Sequence, residues 1–507
     1  MQFNYLKWFG IAAALLSGWA QASYYSPPTV SVSTSFTSTG TYTVSWRTPS
    51  PHPYRLHETR IENDGRRIET ETVYMGGVTS KTYSKPVTNV RYEYRVANVD
   101  VGGASSPVTV DVYNASYKPK SLIPVTKREY GCGPLYAPDY PRSSCGYRTI
   151  KYGTGYVFTG RDGVLNDPVV ISQWFEMQGS TPSVHAFARR LDLSASNMFS
   201  TLLTDVAHDR DVVIYMYEDP TQSVLFSGDG LSILLQEINR LKGAAGRPNV
   251  VIGLSAGGVV ARYALAKMES QNVSHDTSLY ISYDAPHTGA NITSELIRRL
   301  YDMDDHIDDA CDDAKLFAGP FASCPSTGEL GRTLKLIESP AARELLTWHA
   351  GSSQQNAFKT ALSSLGLPKM THNVAFSNGL PVGHNRGIPS NYFALTWSLD
   401  RPSPWTDKDY TVYLNRPGSL DNEAGSSGNP DFLLDAIQML SRSSDRISVY
   451  PAPSVPRHTF IATRSAFAIT SGTTPFHEAI ASTQNGVHLG VIRTHVYKML
   501  ELIATYQ

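Results

Sequence analysis

One stretch constrains the fold more than any other. The apolar run Asn249 to Gly253 (NVVIG) leads straight into Gly253-Leu254-Ser255-Ala256-Gly257-Gly258, and Val259 to Met268 (VVARYALAKM) then follows with helical spacing. A short apolar run reads as a buried strand, and the residues after it read as a helix. Between them lies a glycine-rich turn with one serine at its tip. Glycines two before and two after that serine suit a place where strand and helix nearly touch. The turn lifts the Ser255 hydroxyl clear of the sheet, and the helix N-terminus adds free N–H groups and positive potential.

The flanking chain repeats the same alternation. Pro168 to Ser172 (PVVIS), Asp211 to Tyr217 (DVVIYMY), Leu279 to Tyr283 (LYISY) and Asn373 to Phe376 (NVAF) read as further buried strands. Val184 to Leu203 and Leu231 to Leu241 have helical periodicity between them. Strands alternating with helices predict a mostly parallel sheet covered by helices, an α/β fold.

The chain in front has a different texture. Thr41 to Trp46 (TYTVSW), Arg91 to Val96 (RYEYRV) and Pro107 to Val112 (PVTVDV) alternate with period two, with Asn63-Asp64-Gly65 and Gly102-Gly103 as turns. This predicts an all-β, immunoglobulin-like sandwich over 23–115. With 507 residues there is room for it and a large α/β domain. Residues 116–165, rich in Pro, Tyr, Gly and Cys, read as a linker carrying a Cys132–Cys145 loop, and 166–507 as the α/β domain. A polar helical insertion covers about 290–367.

The N-terminus reads as a Sec-type signal peptide, 1–22. Lys7 supplies the charge, Phe9 to Leu16 the apolar stretch, and Ala20-Gln21-Ala22 the small-x-small cleavage site. That stretch is too short to span a bilayer, and no later segment is apolar enough, so no integral membrane segment is expected in the mature chain. Export to the periplasm or beyond favours disulfides, and the four cysteines fall into two close pairs, Cys132 with Cys145 and Cys311 with Cys324. No CxxC occurs, which weighs against zinc. The acidic run Asp304-Asp305, Asp308-Asp309 and Asp312-Asp313 fits no EF-hand and reads as a solvated helical face. A formal net charge of −1 gives no electrostatic case for nucleic acid.

Two resemblances follow from these residues. Trp46, Tyr92, Tyr94 and VANVDVGGASSPVTV resemble a fibronectin type III domain, which implies positioning or binding rather than catalysis. GLSAGGVVARYAL followed by SLYISYDAPHTGANI resembles the bacterial lipase and GPI-inositol-deacylase-like branch of the α/β-hydrolases. Leu254 stands where that branch often has His, and Ala256 where it often has Met.

The second resemblance implies a carboxylic ester hydrolase acting on a lipid or other ester, with Ser255 as nucleophile and no cofactor or metal. It implies an oxyanion hole from the N–H of Ala256 and one from the loop after PVVIS. Alignment of Trp174-Phe175-Glu176 with the family's Gly-Phe-Asp selects Phe175. The base belongs near the C-terminus. His488, in Asn485-Gly486-Val487-His488 before a final helix, fits the family's N-x-x-H, with His477 as the rival. For the acid, Asp284 at the tip of LYISY is selected, as in lipases that place it after this strand. Most relatives place it one strand later, where Ser377-Asn378-Gly379 offers no carboxylate; Asp400, Asp409 and Asp421 are the other candidates. His287, in Pro286-His287-Thr288-Gly289, is given no chemistry. Two rival functions remain at this level: an acyltransferase to another alcohol, and an inactive binding protein on a hydrolase fold.

Overall fold

The computed structural model describes residues 28–47, 54–62, 67–74, 79–98, 104–134, 143–175, 182–194, 197–205, 209–305, 328–399, 408–416, 419–427, 447–451, 458–488 and 490–506. It divides into two compact units, Met1–Lys118 with Ser183–Arg190, and Pro119–Pro182 with Leu191–Gln507. The expected signal peptide, the Asn63–Gly65 and Gly102–Gly103 turns, and Cys311 and Cys324 lie outside the described residues.

Among its described residues, the first unit is all-β apart from a single turn of 3-10 helix and the residues contributed by 183–190. Its strands are β1 (Thr29–Val32), β2 (Phe36–Thr37), β3 (Thr41–Arg47), β4 (Tyr54–Ile61), β5 (Arg67–Tyr74), β6 (Ser80–Ser84), β7 (Val90–Asn98) and β8 (Val108–Val112). They form a three-stranded sheet β1-β3-β6 and a five-stranded sheet β2-β8-β7-β4-β5. Period-two alternation turns Tyr42, Val44 and Trp46 of β3 onto the same core as Tyr92, Tyr94 and Val96 of β7. A 2.6 Å hydrogen bond between the Tyr42 and Tyr94 hydroxyls crosses that core, so the buried phenols are satisfied.

The second unit is built on an eight-stranded sheet. Its first strands are β9 (Ser121–Pro134), β10 (Ser143–Phe158) and β11 (Pro168–Ser172). Helices α1 (Val184–Ser194) and α2 (Met198–Thr204) follow in the chain, then β12 (Asp211–Tyr217), α3 (Val224–Lys242), β13 (Asn249–Leu254), α4 (Ala256–Ser270) and β14 (Thr277–Tyr283). A helix over 294–305, then α5 (Gly328–Ile337), α6 (Pro340–Leu345) and α7 (Ser353–Leu365), occupy the stretch expected to be a helical insertion. The chain returns to the sheet with β15 (His372–Ser377). Short antiparallel pairings come next, among β16 (Tyr392–Leu399), β17 (Lys408–Leu414) and β19 (Ile447–Pro451), and between β18 (Gly425–Ser427) and β20 (Thr459–Ala462). Helix α8 (Thr463–Ala466), β21 (Glu478–Ala481) and helix α9 (Arg493–Tyr506) close the chain.

Strand order in the large sheet is β21-β15-β14-β13-β11-β12-β10-β9. The five pairings from β12 across to β21 are parallel, and only those of β10 with β12 and β9 with β10 are antiparallel. This mixed α/β architecture, with a large and mostly parallel sheet, fits an α/β-hydrolase. Strands β11, β12 and β13 are buried along their whole length, which is why their sequences are continuously apolar rather than alternating. Among the described residues no helix is long and apolar enough to cross a membrane.

The stretch 116–165 corrects the sequence reading. It is not a connector but carries β9 and β10, which extend the large sheet at one edge. Gly and Pro lower β propensity there and hid a real alternation: Ile123 and Val125 are buried, while Leu122 is 57% exposed. In the ladder of this hairpin, Cys132 stands directly opposite Cys145.

Candidate active site

The parallel register brings the carboxyl ends of β11, β13, β14, β15 and β21 to one edge of the sheet, where open α/β sheets place their ligands. Ser255 follows β13, Asp284 follows β14, Asn378 follows β15, and the loop bearing His488 follows β21.

Ser255 takes φ 53° and ψ −126°, a conformation that costs a non-glycine residue about 1–3 kcal/mol. The neighbouring backbone enforces it. Ser255 N–H donates to Tyr283 O at 2.9 Å, and Gly258 N–H donates to Ser255 O at 2.8 Å. A Cβ on Gly253 would stand 2.3 Å from Gly257 O, and one on Gly257 would stand 2.4 Å from Ser172 O and 2.5 Å from Gln173 O. Only bare glycines let β13, α4 and the end of β11 come this close. Ala256 is the first residue of α4, so its N–H lacks an acceptor within the helix. Gln173 is fixed beside the elbow, its side-chain carbonyl accepting from Tyr217 N–H at 3.0 Å and its backbone carbonyl from the Tyr217 hydroxyl at 2.6 Å. Trp174 is buried, and Phe175 is half-buried and packed against the core.

The structure brings Ser255, His488 and Asp284 into one hydrogen-bonded chain. His488 Nε2 lies 2.8 Å from Ser255 Oγ, and His488 Nδ1 lies 2.7 Å from Asp284 Oδ2. Asp284 is fully buried. A buried carboxylate is costly unless its oxygens are occupied; Oδ2 takes the imidazole and Oδ1 takes the Asn378 N–H at 3.3 Å. An ionised carboxylate only accepts, so the Nδ1 carries the ring proton. The bare Nε2 therefore faces the serine hydroxyl, which donates to it. Backbone bonds hold the histidine loop, with His488 N–H donating to Ser427 O at 2.6 Å and Ser427 N–H to Gly486 O at 2.9 Å. The Phe460 ring packs edge-on against the imidazole, 5.0 Å between centroids.

The rival candidates have other partners. His477 Nδ1 accepts from Asn373 N–H at 2.8 Å, at the opposite end of the strands from Ser255. Asp421 accepts from the Asn291 side chain at 3.0 Å and from Asn415 N–H at 3.0 Å. Asp409 bonds the Ser398 hydroxyl, and Asp400 lies outside the described residues. His287 pairs its Nε2 with Ser282 Oγ at 2.8 Å, and burial pushes it well below the usual histidine range, so it stays neutral. Among the described residues no group of His, Cys, Asp and Glu could hold a metal ion. Sequence reasoning passed over Asn378, Ser427 and Phe460. The Asn-Gly at a strand tip was visible, but its partners lie some hundred residues on.

No family model and no curated relative matches the chain. Solved structures do. An esterase of the hyperthermophilic archaeon Pyrobaculum calidifontis is 12% identical, with 49% of this chain and 66% of that chain covered and a TM-score of 0.26. The chain thus spans just under two thirds of that esterase's length. A Rhizomucor miehei esterase is 10% identical over 77% of this chain and 88% of its own, with a TM-score of 0.32. Carboxyl esterase 2 of Tuber melanosporum is 10% identical over 77% and 90%, with a TM-score of 0.29. These likenesses are faint.

The close approach at the elbow has a direct consequence. Gly257→Ala should destabilise the protein by roughly 1–3 kcal/mol, because its Cβ meets fixed carbonyls rather than a movable side chain. Thermal unfolding should show a lower Tm; an unchanged Tm would mean that helix and strand are not packed this tightly.

Proposed function

We propose that the chain is a serine hydrolase of the α/β-hydrolase type that cleaves carboxylic esters through an acyl-enzyme on Ser255. The observation that carries this reading is the unbroken line from Ser255 Oγ through His488 to a buried Asp284, with the serine on a strained turn. His488 Nε2 takes the serine proton as Oγ attacks the ester carbonyl carbon. The negative charge on the tetrahedral intermediate falls to the N–H groups of Ala256 and Phe175. The protonated His488 then delivers its proton to the departing alkoxide, and the C–O bond breaks. Water, deprotonated by His488, repeats the sequence on the acyl-enzyme and releases the carboxylic acid. Asp284 keeps the imidazole in the productive tautomer throughout. The half-buried Phe175 and Phe460 supply apolar surface, which supports an acyl group of lipid character.

Hydrolysis of p-nitrophenyl esters from acetate to palmitate tests this reading. Ser255→Ala should abolish turnover, and Asp284→Asn should reduce kcat on the order of 10⁴-fold with little change in Tm. Full activity in either variant would remove that residue from the mechanism.

The first unit is read as a fibronectin type III-like spacer, supported by its two-sheet order and aromatic core. The protein is also read as exported, with cleavage after Ala22 and disulfides Cys132–Cys145 and Cys311–Cys324. The opposed register of the first pair supports that connectivity. Mass spectrometry of the exported, unreduced protein should find a chain beginning at Ser23 and the two cross-linked peptides. Four free thiols, or a retained leader, would refute this part.

A further inference from the structure

Asn378 occupies the place that a sequence reader would search for an acid, one strand beyond Asp284, and it holds no charge. It is completely buried. Its side-chain Nδ2 donates to Val487 O at 2.9 Å and to Gly490 O at 3.1 Å, on either side of His488. Its Oδ1 accepts from the Tyr283 hydroxyl at 2.5 Å, and its backbone carbonyl accepts from Gly486 N–H at 2.7 Å. Its own N–H reaches Asp284 Oδ1 at 3.3 Å. One residue thus touches the acid through its backbone and both flanks of the histidine through its side chain.

From this geometry we infer that Asn378 is a positioning residue for the proposed reaction, holding Val487 and Gly490 on either side of His488 so that His488 bridges Asp284 and Ser255. The inference rests on the serine-hydrolase reading above. The chemistry demands an amide. Two backbone carbonyls facing the same atom require a group with two hydrogens, which the NH₂ supplies and a carboxylate oxygen does not. The amide cannot be turned around, because its oxygen would then face the Val487 and Gly490 carbonyls; as it stands, that oxygen takes the Tyr283 hydroxyl. Burial, followed by the nearby Asp284 charge, pushes Tyr283 well above the usual tyrosine range, so it remains a phenol and a donor. An Asp at 378 would set its charge against the Val487 and Gly490 carbonyls in a fully buried site, where the low dielectric strengthens the repulsion. That incompatibility explains why the carboxylate sits at 284 and the position after β15 is neutral.

The test compares Asn378→Ala, Asn378→Asp and Tyr283→Phe with the wild type, by steady-state ester hydrolysis and thermal unfolding. Asn378→Asp is nearly isosteric but replaces the two donors with a carboxylate oxygen facing the Val487 and Gly490 carbonyls. Both Asn378 variants should lose about 100-fold in kcat, the cost of a small misplacement of a catalytic group, with KM changed less than about threefold. Tyr283→Phe should lose a smaller factor, about three- to tenfold, because the clamp keeps its donors but loses the bond that orients them. Folded Asn378 variants with wild-type kcat would overturn the inference, as would a loss confined to KM. If the Asn378 variants do not fold, an unaltered kcat in folded Tyr283→Phe overturns it instead. An inactive wild type would sink the serine-hydrolase reading itself, a result distinct from any of these.

Discussion

The structure depends on how closely one helix can approach one sheet. Where β13 turns into α4, the backbones of Gly253, Gly257 and the β11 terminus come within distances that exclude even a methyl group. The chain can make this turn only by driving Ser255 into a left-handed conformation. The strain of about 1–3 kcal/mol is held by the sheet on either side, through the Tyr283 carbonyl and the first turn of α4. A hydroxyl that would otherwise lie along the strand is raised above its end, beside the unpaired N–H groups of a helix start. The parallel register of the neighbouring strands then sets the remaining groups along the same edge.

A second constraint is the accounting of buried polar groups. Asp284 and Asn378 are both wholly buried, and each stays viable only because its polar atoms are matched. Asp284 spends one carboxylate oxygen on the imidazole and the other on the Asn378 backbone. Asn378 matches two donors to two carbonyls and one acceptor to a phenol. The histidine loop is thus gripped from two sides, by Asn378 and by the backbone of Ser427. Neither grip involves a charge, which leaves Asp284 as the single carboxylate in contact with the imidazole among the described residues.

Much of this was legible in the chain, for stated reasons. Strands buried on both faces have to be continuously apolar, so PVVIS, DVVIYMY, NVVIG and LYISY marked the centre of the sheet within a residue or two. The turn at Ser255 was legible because close approach leaves glycine as its signature. What escaped were elements whose signal is shared with distant partners. The β9–β10 hairpin lies at a sheet edge, where half its residues face outward and Pro and Gly are tolerated, so its texture resembled a connector. Asn378 looked like an ordinary turn residue because its role is defined by carbonyls of a loop more than a hundred positions later. The choice between Asp284 and its rivals likewise needed three dimensions, since spacing alone cannot say which carboxylate meets an imidazole.

The most direct test of the central claim is covalent labelling of the native protein with a fluorophosphonate, read by intact mass and peptide mapping. A single adduct is expected, located on Ser255, which vanishes in Ser255→Ala and forms far more slowly in His488→Ala. No adduct on correctly folded protein, or an adduct on another side chain that persists in Ser255→Ala, would contradict it.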